Sequence, residues 1–222
     1  MELTPPITQI ALDFATADEA VEMGKIAVEA GFDWLEAGTP LITCAGIGAI
    51  GALARAFPGK PIIADYKTMD SGFANVQRTK DQGGHWMTVC GNASDATVRS
   101  AIDEGKKLGI GVIVDTIGAK DQAGRAKQCY DWGADMIYLH YSADERKADS
   151  SRDTTPWLPD VQRTVTGPIG IATFGLEDAV RAAQMGAENF VIGKPLINAP
   201  DPLSELTEWV REVKASYRPR QN

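Results

Sequence analysis

A single (β/α)8 barrel, the TIM-barrel architecture, is the fold predicted for residues 1–222, on three observations. Eight short apolar runs recur along the chain, each followed by a turn, an amphipathic stretch and a Gly-containing break. Several runs are uninterrupted apolar segments, as parallel strands covered on both faces must be. No composition shift or domain-scale linker breaks the alternation, so the chain reads as one α/β domain. Its 222 residues fall a little short of the ~250 typical of such barrels and suffice for one large core. The competing arrangement is an open doubly wound sheet. Its dinucleotide fingerprint, G-x-G-x-x-G, is missing from the first strand-to-helix turn, which begins Asp13-Phe14-Ala15-Thr16.

The elements follow in order. The first strand runs from Gln9 to Phe14, and the helix after it from Asp18 to Ala30. Thr16-x-x-Glu19 can form a capping box in front of that helix, and Gly31 stops it. Strands follow at Trp34 to Gly38, Pro61 to Tyr66 and Trp86 to Cys90. A helix from Ser94 to Leu108 ends at Gly109 and leads to the strand Gly111 to Asp115. A helix from Lys120 to Trp132 ends at Gly133 and leads to the strand Met136 to His140. The last units are the strand Ile169 to Thr173, the helix Glu177 to Met185 stopped by Gly186, the strand Asn189 to Gly193 and the helix Pro202 to Tyr217. In all, eight helical segments are expected. The breaks Gly31-Phe32-Asp33, Gly133-Ala134-Asp135 and Gly186-Ala187-Glu188 resemble one another, and each joins a helix to the next strand.

Composition narrows the function classes. The net charge is −8, which argues against nucleic acid or an anionic membrane surface as the main partner. A small anion is not excluded, because local fields can oppose the net charge. Three cysteines, Cys44, Cys90 and Cys129, form no C-x-x-C pair and point to a reducing compartment. With only His85 and His140 besides, a structural zinc site is not expected. The N-terminal residues show no signal-peptide pattern, and no apolar run reaches the ~18 residues of a membrane span. The expectation is a cytoplasmic protein.

In a barrel, the strand ends carry the chemistry, because active sites lie at the C-terminal mouth. The third strand ends in Asp65-Tyr66-Lys67-Thr68-Met69-Asp70. Alternation puts Asp65 and Lys67 on one face, and charges at the tip of an apolar strand are costly unless used or paired. Strand one ends in Asp13, strand two carries Glu36, strand five ends in Asp115 and strand six in His140. Each has a structural alternative: a turn cap for Asp13, an Asp65–Lys67 ion pair, a loop anchor for Asp115, a satisfied core histidine for His140. Five of eight strands delivering polar groups to one mouth favours a site.

Asp13, Glu36 and Asp65 offer hard oxygens that suit Mg²⁺, which accepts partial ligation by protein. Lys67 beside them can stabilise a developing enolate. Carboxylates, a lysine and one histidine fit proton transfer next to a carbonyl better than nucleophilic catalysis, and no G-x-S-x-G element is present. Cys90 reads as a buried small residue. After strands seven and eight, Thr173-Phe174-Gly175-Leu176 and Ile192-Gly193-Lys194-Pro195 stand where such barrels grip phosphate. The alternative for Lys194 is an exposed surface lysine.

These residues resemble a known group. Asp13, Glu36 with Gly38-Thr39-Pro40, Asp65-x-Lys67-x-x-Asp70 and His140 are similar to the pattern of the orotidine 5′-monophosphate decarboxylase suprafamily. Glu36-Ala37-Gly38-Thr39-Pro40-Leu41-Ile42, Asp65-Tyr66-Lys67-Thr68-Met69-Asp70 and Ala93-Ser94-Asp95-Ala96-Thr97 look more like its 3-hexulose-6-phosphate synthase branch than its 3-keto-L-gulonate 6-phosphate decarboxylase branch. The likeness runs from about Gln9 to Leu203.

The resemblance implies that Glu36 and Asp65 bind Mg²⁺ and that Lys67 and His140 handle protons at the enediolate of a ketose phosphate. It implies that Asp70 reaches across a homodimer interface into the partner's site. It also implies that Gly175, Gly193 and Lys194 hold phosphate, with Asp115 among the substrate contacts. The implied reaction is aldol addition of formaldehyde to D-ribulose 5-phosphate. Two departures stand out. The segment 141–153 is longer and more charged than the family's loop, with Ala143 near the place of the decarboxylase's arginine. Phe174 replaces the first glycine of a Gly-Gly phosphate turn, where a ring narrows or re-aims the pocket. The alternatives are decarboxylation of a β-keto sugar acid phosphate, a divergent substrate, and a barrel that only binds ligand. Retention of Asp13, Glu36, Asp65, Lys67, Asp70 and His140 speaks against the last.

Overall fold

Eight parallel strands close into a barrel in chain order in the computed structural model, which describes residues 3–220. They are β1 (Ile7–Leu12), β2 (Trp34–Ala37), β3 (Ile62–Thr68), β4 (Trp86–Cys90), β5 (Gly111–Asp115), β6 (Met136–Leu139), β7 (Ile169–Ala172) and β8 (Asn189–Ile192). The β1–β8 pairing that closes the ring runs from Ile7 opposite Asn189 to Ile10 opposite Ile192.

Alternation along the strands sorts their side chains. Ile7, Trp34, Ile63, Trp86, Ile113, Met136, Tyr138 and Val191 pack together as one buried cluster. Ile10, Leu12, Leu35, Ile62, Ala64, Met87, Val112 and Val114 belong to the second, larger cluster, which includes the helices' apolar residues. Glu36, Asp65, Thr88 and Asp115 stand two residues beyond Trp34, Ile63, Trp86 and Ile113. Residues i and i+2 share a face, so each of these polar groups lies one layer above a bulky apolar floor, toward the mouth.

The helices are α1 (Ala17–Glu29), α2 (Thr39–Ala45), α3 (Gly48–Ala56), α4 (Gly72–Asp81), α5 (Asp95–Leu108), α6 (Gln122–Asp131), α7 (Ala143–Ala148), α8 (Leu158–Gln162), α9 (Leu176–Gln184) and α10 (Pro202–Ser216). The expected box on α1 is present: Thr16 accepts from the Glu19 amide and Glu19 accepts from that of Thr16. The boundaries expected from sequence differ from these by at most two residues, mostly where chain ends fray.

The structure has more helices than the eight expected. Gly46, at φ 74°, ends α2, so two helices link β2 to β3. The segment 141–153, expected as a charged loop, contains α7, held by a Ser142–Glu145 capping box. No single helix among the described residues is long and apolar enough to cross a membrane; α2 and α3 meet the length and composition criteria only together, across a bend of 113°.

Candidate active site

The mouth holds a cavity of 570 Å³ whose lining includes Asp13, Glu36, Asp65, Lys67, Asp115, His140, Gly193 and Lys194. Eight of the expected residues are thus brought together, from six strands or their tips.

Asp65 is the anchor. Thr88 Oγ1 donates to its Oδ1 at 2.7 Å, Thr39 Oγ1 lies 2.8 Å from its Oδ2, and the Lys67 ammonium donates to the same Oδ2. Burial alone would raise its pKa, but the Lys67 charge and the bonds from Lys67, Thr88 and Thr39 win and hold it below the ordinary value. Simple alternation is not how Lys67 reaches it. Between the pairs Ala64–Met87 and Thr68–Val89, β3 uses four residues where β4 uses two, which is a bulge. Lys67 sits in that bulge at φ 45°. Such a backbone costs on the order of 1–3 kcal/mol for a residue with a Cβ. The Lys67 amide recovers part of this by donating to Thr88 Oγ1 at 2.9 Å.

The ammonium also lies 4.0 Å from Asp115 Oδ2, and the same oxygen is 2.9 Å from His140 Nδ1. Asp115 Oδ1 accepts from the Ile117 amide at 2.9 Å. Asp115 was expected among the substrate contacts; it is 1 % exposed, and its carboxylate meets His140, Lys67 and the Ile117 amide. Burial would lower the Lys67 pKa, but Asp65, Asp115 and Glu36 outweigh it and raise it, so Lys67 is an ammonium at neutral pH. An aspartate on Nδ1 orients the imidazole and favours the tautomer that leaves Nε2 as an acceptor.

Glu36 is buried at 4 % exposure and accepts only from Gln9 Nε2 among the described residues. Burial first, then the Asp65 charge, pushes its pKa well above the ordinary value. Gln9 is itself held by Tyr138, whose hydroxyl donates to Gln9 Oε1 at 2.6 Å, and by Asn189 Nδ2 at 3.1 Å. Asp13 is raised by burial and by Asp65, against Lys67, Lys194 and His140. Its carboxylate packs against the backbone of Gly38, where a Cβ would come within 1.9 Å of Oδ1. No group of three His, Cys, Asp or Glu side chains converges for a metal among the described residues. Glu36 and Asp65 are the pair that could hold a small hard cation, because the buried and poorly compensated Glu36 favours a positive neighbour. Cys90 is buried and its thiol is pushed up by burial, which is not the state of a nucleophile.

Two expected residues lie outside this cavity. Asp70 is exposed, and its Oδ1 accepts from the Ser71 amide at 2.7 Å. Gly175 was expected to offer its amide to phosphate, but Asp178 has taken it. Asp178 Oδ1 accepts from Gly175 N at 2.9 Å and Oδ2 from Phe174 N at 2.7 Å. Asp178 is the third residue of α9, where a carboxylate fits the unpaired amides of a helix start.

Sequence reasoning passed over Gln9, Tyr138, Thr88 and Asp178. The first three could have been found by period two, since Tyr138 precedes His140 by two and Gln9 precedes Asp13 by four. Asp178 could have been found as an acid three residues after Gly175.

The family model described as "Orotidine 5'-phosphate decarboxylase / HUMPS family" matches residues 6–209. The 3-hexulose-6-phosphate synthase of Mycobacterium gastri is 34% identical over 206 residues, covering 90% of this chain and 96% of that protein. That of Bacillus subtilis (strain 168) is 37% identical over 195 residues, covering 87% and 91%. Among solved structures, 3-hexulose-6-phosphate synthase from Salmonella typhimurium superposes with a TM-score of 0.86 at 29% identity, covering 95% of this chain and 97% of that one.

Proposed function

The chain belongs to the orotidine 5′-phosphate decarboxylase / HUMPS family, and on that premise we propose that it is a carbon–carbon lyase of the 3-hexulose-6-phosphate synthase type. It would join formaldehyde to D-ribulose 5-phosphate and reverse that addition. The observation that carries this reading is the continuous array Asp65–Lys67–Asp115–His140 at the mouth.

Aldol chemistry of this kind needs a proton removed next to a ketose carbonyl and negative charge held on oxygen. His140, with Nδ1 committed to Asp115, presents Nε2 to the cavity as the acceptor for that proton. Lys67, kept cationic by Asp65, Asp115 and Glu36, supplies fixed positive charge where the enediolate oxygens develop theirs. It can return a proton to the new hydroxyl. Its contacts with Asp65 and Asp115 fix the ammonium's position before substrate arrives. Asp13, whose carboxyl is held above its ordinary value by burial, lines the mouth where it can hydrogen-bond a substrate hydroxyl.

Mg²⁺ is part of the proposal. Glu36 and Asp65 would hold it, with water and substrate oxygens as further ligands. It would add positive charge beside the substrate's oxygens and beside the buried Glu36, whose one hydrogen bond among the described residues comes from Gln9.

A homodimer is the other part. Asp70 stands on the surface between Met69 and Phe73, which are 56% and 50% exposed. Large apolar side chains flanking a carboxylate that its own cavity does not use fit an interface through which Asp70 enters a partner's site.

The test is steady-state turnover of D-ribulose 5-phosphate with formaldehyde, beside a CO2-release assay on 3-keto-L-gulonate 6-phosphate. Formaldehyde consumption that is lost in Lys67→Ala supports the synthase reading; CO2 release without it replaces that reading with the decarboxylase.

A further inference from the structure

We propose that the substrate's anionic end is read by Arg146, a residue of α7 stacked on Phe174, in place of the backbone turn between β7 and α9. The inference rests on the sugar-phosphate reading of the site and adds the group that recognises the phosphate.

The turn is the obvious anion site, and it is already filled. Both amides that open it, Phe174 N and Gly175 N, donate to the Asp178 carboxylate, and the Ala179 amide lies 3.1 Å from the same Oδ1. A phosphate arriving there would meet a half-buried acid that holds the donors it needs. Phe174 itself lines the cavity beside that turn.

Arg146 has the properties the turn lacks. It lines the cavity together with Phe174, Gly193 and Lys194. Its guanidinium lies 4.3 Å from the centre of the Phe174 ring, a cation–π contact. Its Nη1 donates to the Ser150 carbonyl at 2.5 Å and to that of Arg152, which fixes the plane of the group. Nε and Nη2 have no hydrogen-bond partner among the described residues, and no carboxylate pairs with it there. A guanidinium carries five N–H donors, so three remain for a ligand, in the fork geometry that suits a phosphate. Lys194, likewise without an ion pair among the described residues, stands on the same cavity wall.

The other nearby cations do not compete. Arg152 lies 3.7 Å from Asp149 and 4.0 Å from Glu145, and Arg181 is paired with Asp153. Lys147 is exposed and outside the lining. The two departures from the family pattern are then one change. Phe174 closes the glycine turn and serves as the platform for the cation that replaces it.

The experiment is calorimetric titration of D-ribulose 5-phosphate and of inorganic phosphate into the unaltered protein, Arg146→Gln, Phe174→Leu and Asp178→Ala, with aldol kinetics in parallel. Arg146→Gln should weaken sugar-phosphate binding by about 10–100-fold, the loss expected for a charge-assisted, multidentate contact. KM should rise in step while kcat moves less than about 3-fold, because a grip far from the reacting carbons is largely uniform binding. Phe174→Leu keeps the carbonyl contacts of Arg146 and should weaken binding by a few-fold, about the worth of an exposed cation–π contact. Asp178→Ala should leave affinity within about 3-fold if the turn is not the grip. Unchanged affinity in both Arg146→Gln and Phe174→Leu overturns the inference, and so does a tenfold gain in Asp178→Ala. A protein that binds D-ribulose 5-phosphate through Arg146 but does not turn it over keeps this inference and loses the proposed reaction. One that binds neither ligand loses both.

Discussion

Thr88 is the sharpest place to test how the site is held. It is 1 % exposed, its hydroxyl donates to Asp65 Oδ1 at 2.7 Å and accepts from the Lys67 amide at 2.9 Å. Thr88→Val keeps the shape and removes both bonds. A hydrogen bond to a charged group is worth about 1.5–3 kcal/mol, and a buried N–H left unpaired costs about 1–3 kcal/mol. The N–H concerned belongs to the residue at φ 45°, so the loss also releases the bulge that aims Lys67. Together these predict a destabilisation of about 3–5 kcal/mol, within the range of the largest single-site effects. For a chain of this size each kcal/mol moves Tm by ~2–4 °C, so a fall of about 6–20 °C is expected. Thr88→Ser retains both bonds and should recover most of it. Calorimetry and urea titration measure the stability, and turnover measures the aim of Lys67, with kcat expected to fall about 100-fold as the ammonium leaves its position. A valine variant melting within 2 °C of the parent with kcat intact would refute the account of Asp65 and the bulge, because the structure gives Thr88 no other task.

The remaining predictions concern the rest of the mouth. Gly38→Ala places a Cβ 1.9 Å from the present position of Asp13 Oδ1, so the carboxylate must move; activity should fall at least about tenfold with the far-ultraviolet dichroism unchanged, and an active variant would remove Asp13 from the mechanism. Chelation should abolish turnover and Mg²⁺ restore it, with undiminished activity in excess chelator excluding the metal at Glu36 and Asp65. Mixing inactive Asp70→Ala with inactive Lys67→Ala subunits should restore part of the activity, since one hybrid site is intact; silent but demonstrated heterodimers would argue that Asp70 serves no partner.

The fold was legible because periodicity and punctuation agreed. Buried runs such as Ile110-Gly111-Val112-Ile113-Val114 cannot be two-sided polar strands, and glycines such as Gly31, Gly133 and Gly186, all at positive φ, mark the helix ends where a Cβ would be strained. Glu36, Asp65 and Asp115 were legible for the same reason, since period two sets them above Trp34, Ile63 and Ile113; Lys67 reaches the same mouth only through the bulge. What the sequence hid depends on pairings between distant segments. Nothing local in Tyr66-Lys67-Thr68 announces a bulge, because it is created by register against β4. Nor does Asp178 declare that it will fill the turn before α9 until the turn's conformation is known. Gln9 looked like one polar residue in an apolar strand; only the closed ring brings it against Glu36 from β2, Tyr138 from β6 and Asn189 from β8.

The division between strand ends and loops bears on how such a site changes substrate. The reacting groups stand on β3, β5 and the tip of β6, above Ile63, Ile113, Met136 and Tyr138, and each is fixed by a neighbouring strand: Asp65 by Thr88 of β4, His140 by Asp115 of β5. Moving any of them disturbs packed interior layers. The groups assigned to the substrate's far end stand on segments whose geometry is set locally, by the Ser142–Glu145 box, the Asp178 cap and the Arg146 bonds to its own loop carbonyls. A loop of that kind can be lengthened, or a glycine turn exchanged for a ring and a guanidinium, at a cost of one or two local hydrogen bonds. The departures from the family pattern, at Phe174 and 141–153, fall on these segments, while Asp65, Lys67 and Asp70 stay in place. Transplanting 141–153 and Phe174 together into a relative with a glycine turn should therefore carry the dependence on Arg146 with them and leave kcat within about tenfold, since remote binding contacts act mainly on KM. A graft that binds sugar phosphate unchanged after Arg146→Gln, or that loses kcat by several orders, would show that loop and floor are not separable.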